Sequence, residues 1–380
     1  MKQPLKILFT GDFYGGHRIN SLIQSQNYGE IVNDFLPIIR NSEIAVTNLE
    51  SPLTNSNKPI PKTGPFLKSN QEVVKAFKFA GFNLVTLANN HIMDYGIEGL
   101  KDTLDILTKN DIKFVGAGFD FEQASSTLYK TVYEKKIAFL NFAENEWSTT
   151  IGKLPGANPL DPVLNHYAIK DARDNADFVF VIVHGGHEMY NLPSPRMKKT
   201  YRFFIDSGAN AVIAHHPHVI SGYEIYKNCP IFYSLGNFIF DKPVSVKAKN
   251  EFSGWNTGLA VQFKIIESEI DFELIPHYQN TSIPGVQLLS DADKNFFYQH
   301  LHSLNEIIQN DDELENEFEK YCLRVGDLYK FYIEPHSNKY IHFLQRKKVL
   351  PSFLSKKKRL LYKNLIRCES HKDIVLKTII

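Results

Sequence analysis

Short runs of apolar residues recur along this chain, and five of them end in residue types that bind metals or phosphate. The runs are residues 6–10 before Gly11-Asp12, 44–47 before Asn48-Leu49-Glu50, 84–87 before Asn89-Asn90-His91, 178–183 before His184, and 211–214 before His215-His216-Pro217-His218. Such unbroken apolar runs are typical of buried strands in a parallel α/β sheet. Ligands of open α/β sheets bind outside the carboxyl ends of the strands. We therefore expect these polar residues to gather on one rim of a single sheet.

The remaining pattern predicts helices and further strands. Apolar residues recur at helical spacing over residues 31–39, 72–80 and 96–108, and residues 137–142 are typical of another buried strand. Residues 146–176 contain several prolines and glycines and are expected to form an irregular surface loop near the site. Residues 231–235 predict a strand, and residues 258–266 and 269–275 alternate like two antiparallel strands.

From about residue 290 the pattern is mostly helical. We therefore predict an α/β domain over residues 1–285 and a helical C-terminal extension with a basic tail over residues 286–380.

The composition indicates a globular protein, since 43% of the residues are apolar and 13% are aromatic. Charge is unevenly distributed, because residues 341–380 hold eleven Lys or Arg and two acidic residues, a net of +9. The whole chain has a net charge of +1, which leaves −8 on the first 340 residues. The tail can pack on an acidic surface of its own chain or of a second copy, or it can contact an anionic polymer or membrane face. It lacks a nucleic-acid reading motif, and we expect no nucleic-acid partner.

Neither a leader segment nor a membrane-spanning apolar stretch is recognisable in the sequence. The three cysteines are scattered without CxxC spacing, which argues against a disulfide framework. We expect a cytoplasmic location, with peripheral contact to a membrane left open. The sequence also lacks the motifs of P-loop ATPases, of GxSxG hydrolases and of HExxH proteases.

The residues after the five runs are suited to a metal centre. Carboxylate, amide and imidazole side chains without thiolates are ligands for Mn²⁺, Fe or Zn²⁺. We expect two divalent ions about 3.5–4 Å apart, which would activate water as hydroxide and neutralise charge on a phosphoryl or carbonyl oxygen. Taken singly, Asp12 can cap a helix, and Asn48, Glu50 and the Asn90-His91 pair can stabilise loops. Their conjunction at strand ends favours the metal site.

The spacing of His216 and His218 predicts that both imidazoles lie on one side of an extended segment, with His215 on the other side in a structural role. His91 suits a proton donor to a leaving group, or a hydrogen bond to a ligand. Asp94 can orient His91 or cap the next helix.

Three further polar residues are predicted near the site. Glu188 can hold a ligand imidazole, face the substrate or lie on the surface, and His187 is either structural or directed at the substrate. Asn237 follows a strand and a glycine that permits a tight turn, and it can bind the ligand loops.

In these motifs the chain resembles the capsule-synthesis CapA family, also called PgsA-like poly-γ-glutamate synthesis proteins, within the calcineurin-like metallophosphoesterase superfamily. The resemblance covers about residues 5–275 and implies a four-layer α/β/β/α sandwich with two metal ions. Its segments are Gly11-Asp12, Val46-Thr47-Asn48-Leu49-Glu50, Ala88-Asn89-Asn90-His91 with Asp94-Tyr95-Gly96, His184-Gly185-Gly186-His187-Glu188, His215-His216-Pro217-His218-Val219 and Ser234-Leu235-Gly236-Asn237-Phe238.

The resemblance also implies roles for individual residues. His91 matches the catalytic histidine of the superfamily, and we add Asp94 and Glu188 to the catalytic candidates. Asn48, Asn89, His187 and Asn237 are expected to bind substrate or to hydrogen bond with the ligands. The metal-ligand positions are matched by Asp12, Glu50, Asn90, His184, His216 and His218.

Among the departures of the chain from the superfamily pattern, Asp12-Phe13-Tyr14 replaces DxH and Asn48-Leu49-Glu50 replaces GDxxD. We expect a metal-dependent hydrolase that acts in synthesis or processing of an anionic capsular polymer, poly-γ-glutamate or an acidic polysaccharide. The bond attacked would be a phosphoester or a γ-glutamyl amide. Polymer-synthesis machinery at the membrane face and a second copy of the chain are the expected protein partners. The alternative is a non-catalytic binding or scaffold subunit of a polymer-synthesis complex.

Overall fold

Two β-sheets pack face to face at the centre of this protein. The computed structural model describes residues 4–150, 152–241, 254–333, 339–347, 349–351 and 355–378. The strands, in chain order, are β1 (Leu5–Tyr14), β2 (Ile44–Leu49), β3 (Leu84–Thr86), β4 (Lys113–Val115), β5 (Ala117–Gly118), β6 (Leu128–Val132), β7 (Lys135–Ala143), β8 (Gly156–Ala157), β9 (Phe178–His184), β10 (Ala211–His215), β11 (Tyr223–Tyr226), β12 (Cys229–Phe232), β13 (Asn237–Phe240), β14 (Thr257–Ile266), β15 (Glu269–Gln279) and β16 (Val286–Leu288).

The helices cover the sheets and make up the C-terminal quarter of the chain. They are α1 (His17–Gln24), α2 (Tyr28–Val32), α3 (Leu36–Arg40), α4 (Val73–Ala80), α5 (Gly96–Lys109), α6 (Phe121–Ser125), α7 (Pro162–Asn175), α8 (Pro195–Asp206), α9 (Asp291–Gln309), α10 (Asp311–Ile333), α11 (Lys339–Arg346), α12 (Lys356–Arg367) and α13 (Glu369–Thr378), with a 3₁₀ turn at Asn33–Phe35.

Both sheets have a parallel centre. The first sheet has the order β16-β15-β14-β1-β2-β3-β4, with β13 pairing with the end of β1, and β1 to β4 run parallel. The second sheet has the order β11-β12-β10-β9-β7-β6, and β7, β9, β10 and β12 run parallel. Every residue of β2, β9 and β10 is buried. Strands covered on both faces need apolar side chains on both, which explains the unbroken apolar runs.

The apolar clusters define the order of the layers. Between the sheets, the ring of Phe180 in β9 lies 5.4 Å from Phe9 of β1 and 5.1 Å from Phe263 of β14. A second cluster joins α1 to α5 to the outer face of the first sheet. A third joins α7, α8 and α10 to the outer face of the second sheet. The predicted four-layer α/β/β/α sandwich with a helical C-terminal extension is confirmed.

Several predicted elements are confirmed and others need correction. Helices α4 and α5 lie where the periodicity predicts them, and β14 and β15 pair antiparallel. The single helix predicted over residues 31–39 is instead α2, a 3₁₀ turn and α3. Pro37 stands in the first turn of α3. Proline lacks an N–H and favours the start of a helix over its interior, which is the reason for the break.

The irregular loop predicted over residues 146–176 is partly wrong, since α7 occupies its second half. The side chain of Asp161 accepts hydrogen bonds from the backbone N–H groups of Val163 and Leu164, and Pro162 is the first helical residue. Asp at the N-cap and Pro in the first turn are signals of a helix start as well as of a loop.

The expectation that one sheet carries all five polar strand ends is also wrong. β1, β2 and β3 belong to the first sheet, whereas β9 and β10 belong to the second. Apolar patterning reports burial and carries no information on which strand a segment pairs with. The two sheets nevertheless meet at this edge, where the backbone N–H of His216 donates to the Asp12 carboxylate at 3.2 Å. The polar strand ends therefore form one site between two sheets.

The C-terminal extension packs on this sandwich. Phe297 and Leu301 of α9 join the core between the sheets, and Leu304 and Ile308 join the outer core of the second sheet. The domain boundary predicted after residue 285 stays a prediction. Parts of the basic tail, residues 348, 352–354, 379 and 380, lie outside the described residues.

Candidate metal centre

The centre lies where β1, β2, β9 and β10 end. The register of β1 shifts at Asp12 against β2 and against β13, and the Asp12 backbone N–H donates to the Gly236 carbonyl at 3.1 Å. A Cβ on Gly11 would stand 2.0 Å from that carbonyl oxygen. Glycine at this position therefore permits the close approach that directs the Asp12 side chain between the sheets.

Glu50 is the residue common to two groups of converging side chains. Glu50, His184 and His216 form one group, and Asp12, Glu50 and His218 form the other, with the ligand atoms of each group within 4.8 Å of one another. The Oε1 atom of Glu50 lies 3.5 Å from Nε2 of His184 and 3.6 Å from Nε2 of His218. Nδ1 of His218 lies 3.6 Å from Oδ2 of Asp12. The predicted ligand Asn90 joins the first group, with its Oδ1 3.1 Å from Nε2 of His184.

These side chains fit divalent cations. Both carboxylate oxygens of Glu50 are buried, and neither has a hydrogen-bond partner among the described residues. A buried unpaired carboxylate is costly unless a charge compensates it. Nδ1 of His216 faces Nε2 of His184 at 3.2 Å. Oxygen and imidazole atoms that converge in this way match the ligands of Mn²⁺, Fe and Zn²⁺.

The electrostatics agree with that fit. Burial, with a contribution from Glu50, raises the pKa of Asp12 to about 6, and burial also raises the pKa of Glu50. Burial lowers the pKa of His184 and of His216 well below the usual range, which keeps both imidazoles neutral and able to bind a metal. Burial opposes the charged form of His218 too, but Glu50 and Asp12 outweigh it and raise that pKa.

Three predicted asparagines hold the ligands and their loops. Asn48 donates from Nδ2 to Oδ1 of Asp12 at 2.7 Å and accepts from Thr86. Asn89 donates to the Leu49 carbonyl at 2.8 Å and accepts from the backbone N–H of His91, which ties the Asn90-His91 loop to the end of β2. Asn237 accepts from Nδ1 of His218 at 2.9 Å and donates to the His218 carbonyl.

His91 is oriented by a carboxylate, and Asp94 does not cap the next helix with its side chain. Nδ1 of His91 lies 2.7 Å from Oδ2 of Asp94, and the buried Lys62 ammonium contacts Oδ1 of the same carboxylate. We assign the tautomer in which Nδ1–H donates to Asp94, since a carboxylate accepts only. Nε2 of His91 then remains available for a substrate. The sequence pattern did not predict Lys62 as a site residue, because Lys62 lies in a loop without apolar periodicity or a recognisable motif.

The histidines at the end of β10 have a backbone conformation that differs from the predicted one. The imidazoles of His216 and His218 nevertheless point to the same cluster, as predicted. Nε2 of His215 donates to the Thr10 carbonyl at 3.0 Å, a structural contact between the sheets. His216 and His218 have φ of 100° and 59°, so the segment is not extended as predicted. Positive φ at both positions brings both imidazoles to the cluster through a tight turn, and the surrounding contacts must offset the local strain.

A cavity of about 380 Å³ lies beside the cluster. His91, His216, His187 and Glu188 line it, and the side chain of Glu188 is exposed there. Glu146, which was missed, also lines it and accepts from Nδ2 of Asn90 at 3.4 Å. Burial, together with Glu188 and Glu144, raises the pKa of Glu146 to about 8. Glu146 follows β7, a further strand that ends at this edge, so the pattern used for the other five strands could have found it.

This chain is similar in sequence to a known protein family and to individual bacterial proteins. Residues 6–242 match the family described as "Bacterial capsule synthesis protein PGA_cap". The chain is 34% identical over 249 residues to the capsule biosynthesis protein CapA of Bacillus anthracis, covering 63% of this chain and 61% of that protein. It is 36% identical over 242 residues to the PGA biosynthesis protein CapA of Bacillus subtilis, covering 63% of this chain and 64% of that protein. The match thus spans less than two thirds of either relative.

A solved structure is more distant. A hypothetical protein from Thermus thermophilus aligns with 72% of this chain and 99% of its own, at 14% identity and a TM-score of 0.45. Within the described part of the chain, none of the helices combines the length and apolar character needed to cross a bilayer.

Proposed function

This chain belongs to the bacterial capsule synthesis protein family PGA_cap, and on that premise we propose that it is a metal-dependent hydrolase that acts in synthesis or processing of an anionic capsular or surface polymer. Poly-γ-glutamate is the polymer that the names of the relatives favour. A phosphoester and a γ-glutamyl amide are the two bond classes to test.

One observation carries the hydrolase proposal. The Glu50 carboxylate is buried among imidazoles without a hydrogen-bond donor among the described residues, at the point common to both ligand groups. A binding protein that used the cleft without metal would have no reason to keep an unpaired carboxylate there. We propose that Asp12, Glu50 and His218 hold one divalent ion, and that Glu50, Asn90, His184 and His216 hold the other.

When bound, such ions supply Lewis acidity toward a phosphoryl or carbonyl oxygen and lower the pKa of water in the site. The chain's own residues supply the rest. His91 would donate a proton from Nε2 to the leaving group when both of its ring nitrogens carry a proton, with Asp94 holding the Nδ1–H and thereby orienting the ring. Lys62 forms an ion pair with Asp94 and thereby holds the carboxylate in place. Glu188 and Glu146, both on the cavity wall, are candidates for contact with the substrate.

The test begins with elemental analysis of the purified full chain. Turnover of phosphoester substrates and of poly-γ-glutamate is then measured after chelation and after return of Mn²⁺, Fe²⁺ or Zn²⁺. We expect bound metal, loss of turnover on chelation, and recovery with at least one ion. Bound metal without turnover of either substrate class would contradict the hydrolase and favour the binding or scaffold subunit. The proposal also includes a cytoplasmic site of action, contact with polymer-synthesis machinery at the membrane face, and self-association. Co-purification would test the two protein contacts.

A further inference from the structure

The C-terminal extension supplies one wall of the cavity, although it lies outside the residues that match the family. Tyr321, Val325 and Tyr329 of α10 recur every four residues and line the cavity from one helix face. The lining residues of α12 and the segment after it recur at spacings of three and four, as expected for one helical stripe. They are Leu361, Asn364, Leu365 and Cys368, followed by Ser370 and His371 at the start of α13. We call these nine residues the extension wall.

A partly buried ionic cluster fixes the extension wall to the sandwich. Glu144, just after β7, accepts hydrogen bonds from Ser370 of α13 and from Arg196 of α8, the latter at 2.7 Å. Arg196 also donates from Nε to both Asp373 oxygens, at 3.0 and 2.8 Å. We call Glu144, Arg196, Ser370 and Asp373 the latch. Because it joins three elements next to the site, the extension wall has a defined position relative to the ligand cluster.

The extension wall offers polar groups to a ligand. Asn364 is only 7% exposed, and its Oδ1 has no hydrogen-bond partner among the described residues. Its Nδ2 donates to Nδ1 of His371 at 3.2 Å. In that arrangement the proton of a neutral His371 resides on Nε2, which makes Nε2 a donor. Both residues line the same cavity as the candidate ligands Asn90 and His216, and a bound group that reaches them would satisfy the acceptor and the donor.

One turn closer to the N-terminus of α12, the same helix face carries a basic residue. Lys357 precedes Leu361 by four residues and therefore stands on the cavity-lining stripe, and it is exposed. Lys363 is also exposed but lies on the opposite side of the helix, two residues from Leu361. A negatively charged chain that leaves the cavity along α12 would meet the Lys357 ammonium.

From these contacts we infer that the extension wall restricts the site to the end of an anionic polymer chain, with the terminal residues enclosed between the wall and the ligand cluster and the rest of the chain passing along the Lys357 face of α12. This inference rests on the proposed function for the class of polymer. A cavity of about 380 Å³ lies at the small end of ligand sites, and it suits a terminus better than the middle of a long chain.

The stoichiometry of binding tests the inference without requiring turnover. Poly-γ-glutamate of a short and of a long narrow length class is titrated into the full-chain protein by calorimetry, and bound protein is counted per polymer chain. We expect one protein per chain at both lengths. A count that rises in proportion to length, or no saturable binding, would overturn the inference. One protein per chain without turnover would leave it standing and contradict the hydrolase alone.

A matched pair of charge reversals completes the test. We expect Lys357→Glu to weaken binding roughly fivefold, as for a charge at the rim of an interface, and Lys363→Glu to change it less than about twofold. Asn364→Leu should weaken binding of the short class as much as of the long class, because the terminus is common to both. Equal effects of the two lysine variants would contradict the path along α12, and thermal melting of all variants checks that they fold.

Discussion

Two buried glutamates near one edge of the sandwich have opposite surroundings. Glu144 in the latch accepts from Arg196 and Ser370, and although burial opposes its charged form, Arg196 and Ser370 lower its pKa to about 2. Glu50 in the metal centre has no hydrogen-bond donor among the described residues, and burial raises its pKa. A carboxylate that is neutralised by side chains of its own protein has a structural role. A carboxylate left without a hydrogen-bond donor supports our proposal that a cation completes the site.

The largest expected effect comes from removing the charge of the unpaired carboxylate. Glu50→Gln should abolish metal binding and with it about 4 kcal/mol of metal-dependent stabilisation at a thousandfold excess over Kd. In the chelated protein the same change should be neutral or stabilising, because an uncompensated buried charge is removed. Urea unfolding with and without Mn²⁺ or Zn²⁺ measures both. Stability that drops equally in both conditions would mean that Glu50 is structural, like Glu144.

The reverse result is expected for the latch. Glu144→Gln should lower the free energy of unfolding by about 3 kcal/mol, since it leaves Arg196 without one of its partners in a largely buried pair. Metal content should not change. Urea unfolding and elemental analysis give the two readouts, and Lys264→Gln, which removes an exposed ion pair with Glu273, is the control with little expected loss. Loss of metal in Glu144→Gln would break the distinction between the two regions.

Asp94 provides a sharper case, because it lies in the metal region but is paired like Glu144. Its oxygens contact Lys62, His91 and the Leu67 backbone N–H. Asp94→Asn should therefore retain the metal and lower turnover by about tenfold to a hundredfold through misplacement of the His91 proton. Elemental analysis and kcat measurements separate the two quantities. Metal loss on this substitution would indicate that Asp94 belongs with Glu50.

The smallest expected effect is a difference in pH dependence. The folded-state pKa of Asp12, about 6, exceeds its ordinary value of 3.8, so the metal-free protein binds more protons folded than unfolded. Its stability should fall as pH rises from about 4 to 6. The folded-state pKa of Glu144, about 2, lies below its ordinary 4.5, so the stability it contributes is lost as pH falls from about 5 to 2.

Urea midpoints across about pH 3–7 in the presence of a chelator test these opposite slopes. Asp12→Asn should make the first slope smaller, with Glu50 and Glu146 accounting for the remainder, and Glu144→Gln should make the second slope smaller. With metal present, stability should instead rise toward neutral pH, because cation binding requires deprotonated carboxylates. A falling slope that persists at saturating metal would argue against Asp12 as a ligand.

The sequence determined the local chemistry of this protein. Unbroken apolar runs identify strands buried on both faces, and the residues that follow them are those that converge at the centre, from Asp12 to His218. The prediction succeeds because an unbroken apolar run reports a strand buried on both faces, and the residues that follow the run in the chain lie at the carboxyl end of that strand. The family resemblance supplied the layer order, which periodicity alone did not.

Only the tertiary structure decided which strands share a sheet, how the positive-φ turn directs His216 and His218, and that Lys62 and the extension wall reach the site. These features depend on contacts between residues far apart in the chain, such as Glu144 with Ser370. Such contacts arise from packing of whole layers, and no short segment encodes them. Local pattern therefore identified the candidate ligands, while the fold assigned their partners and enclosed the cavity.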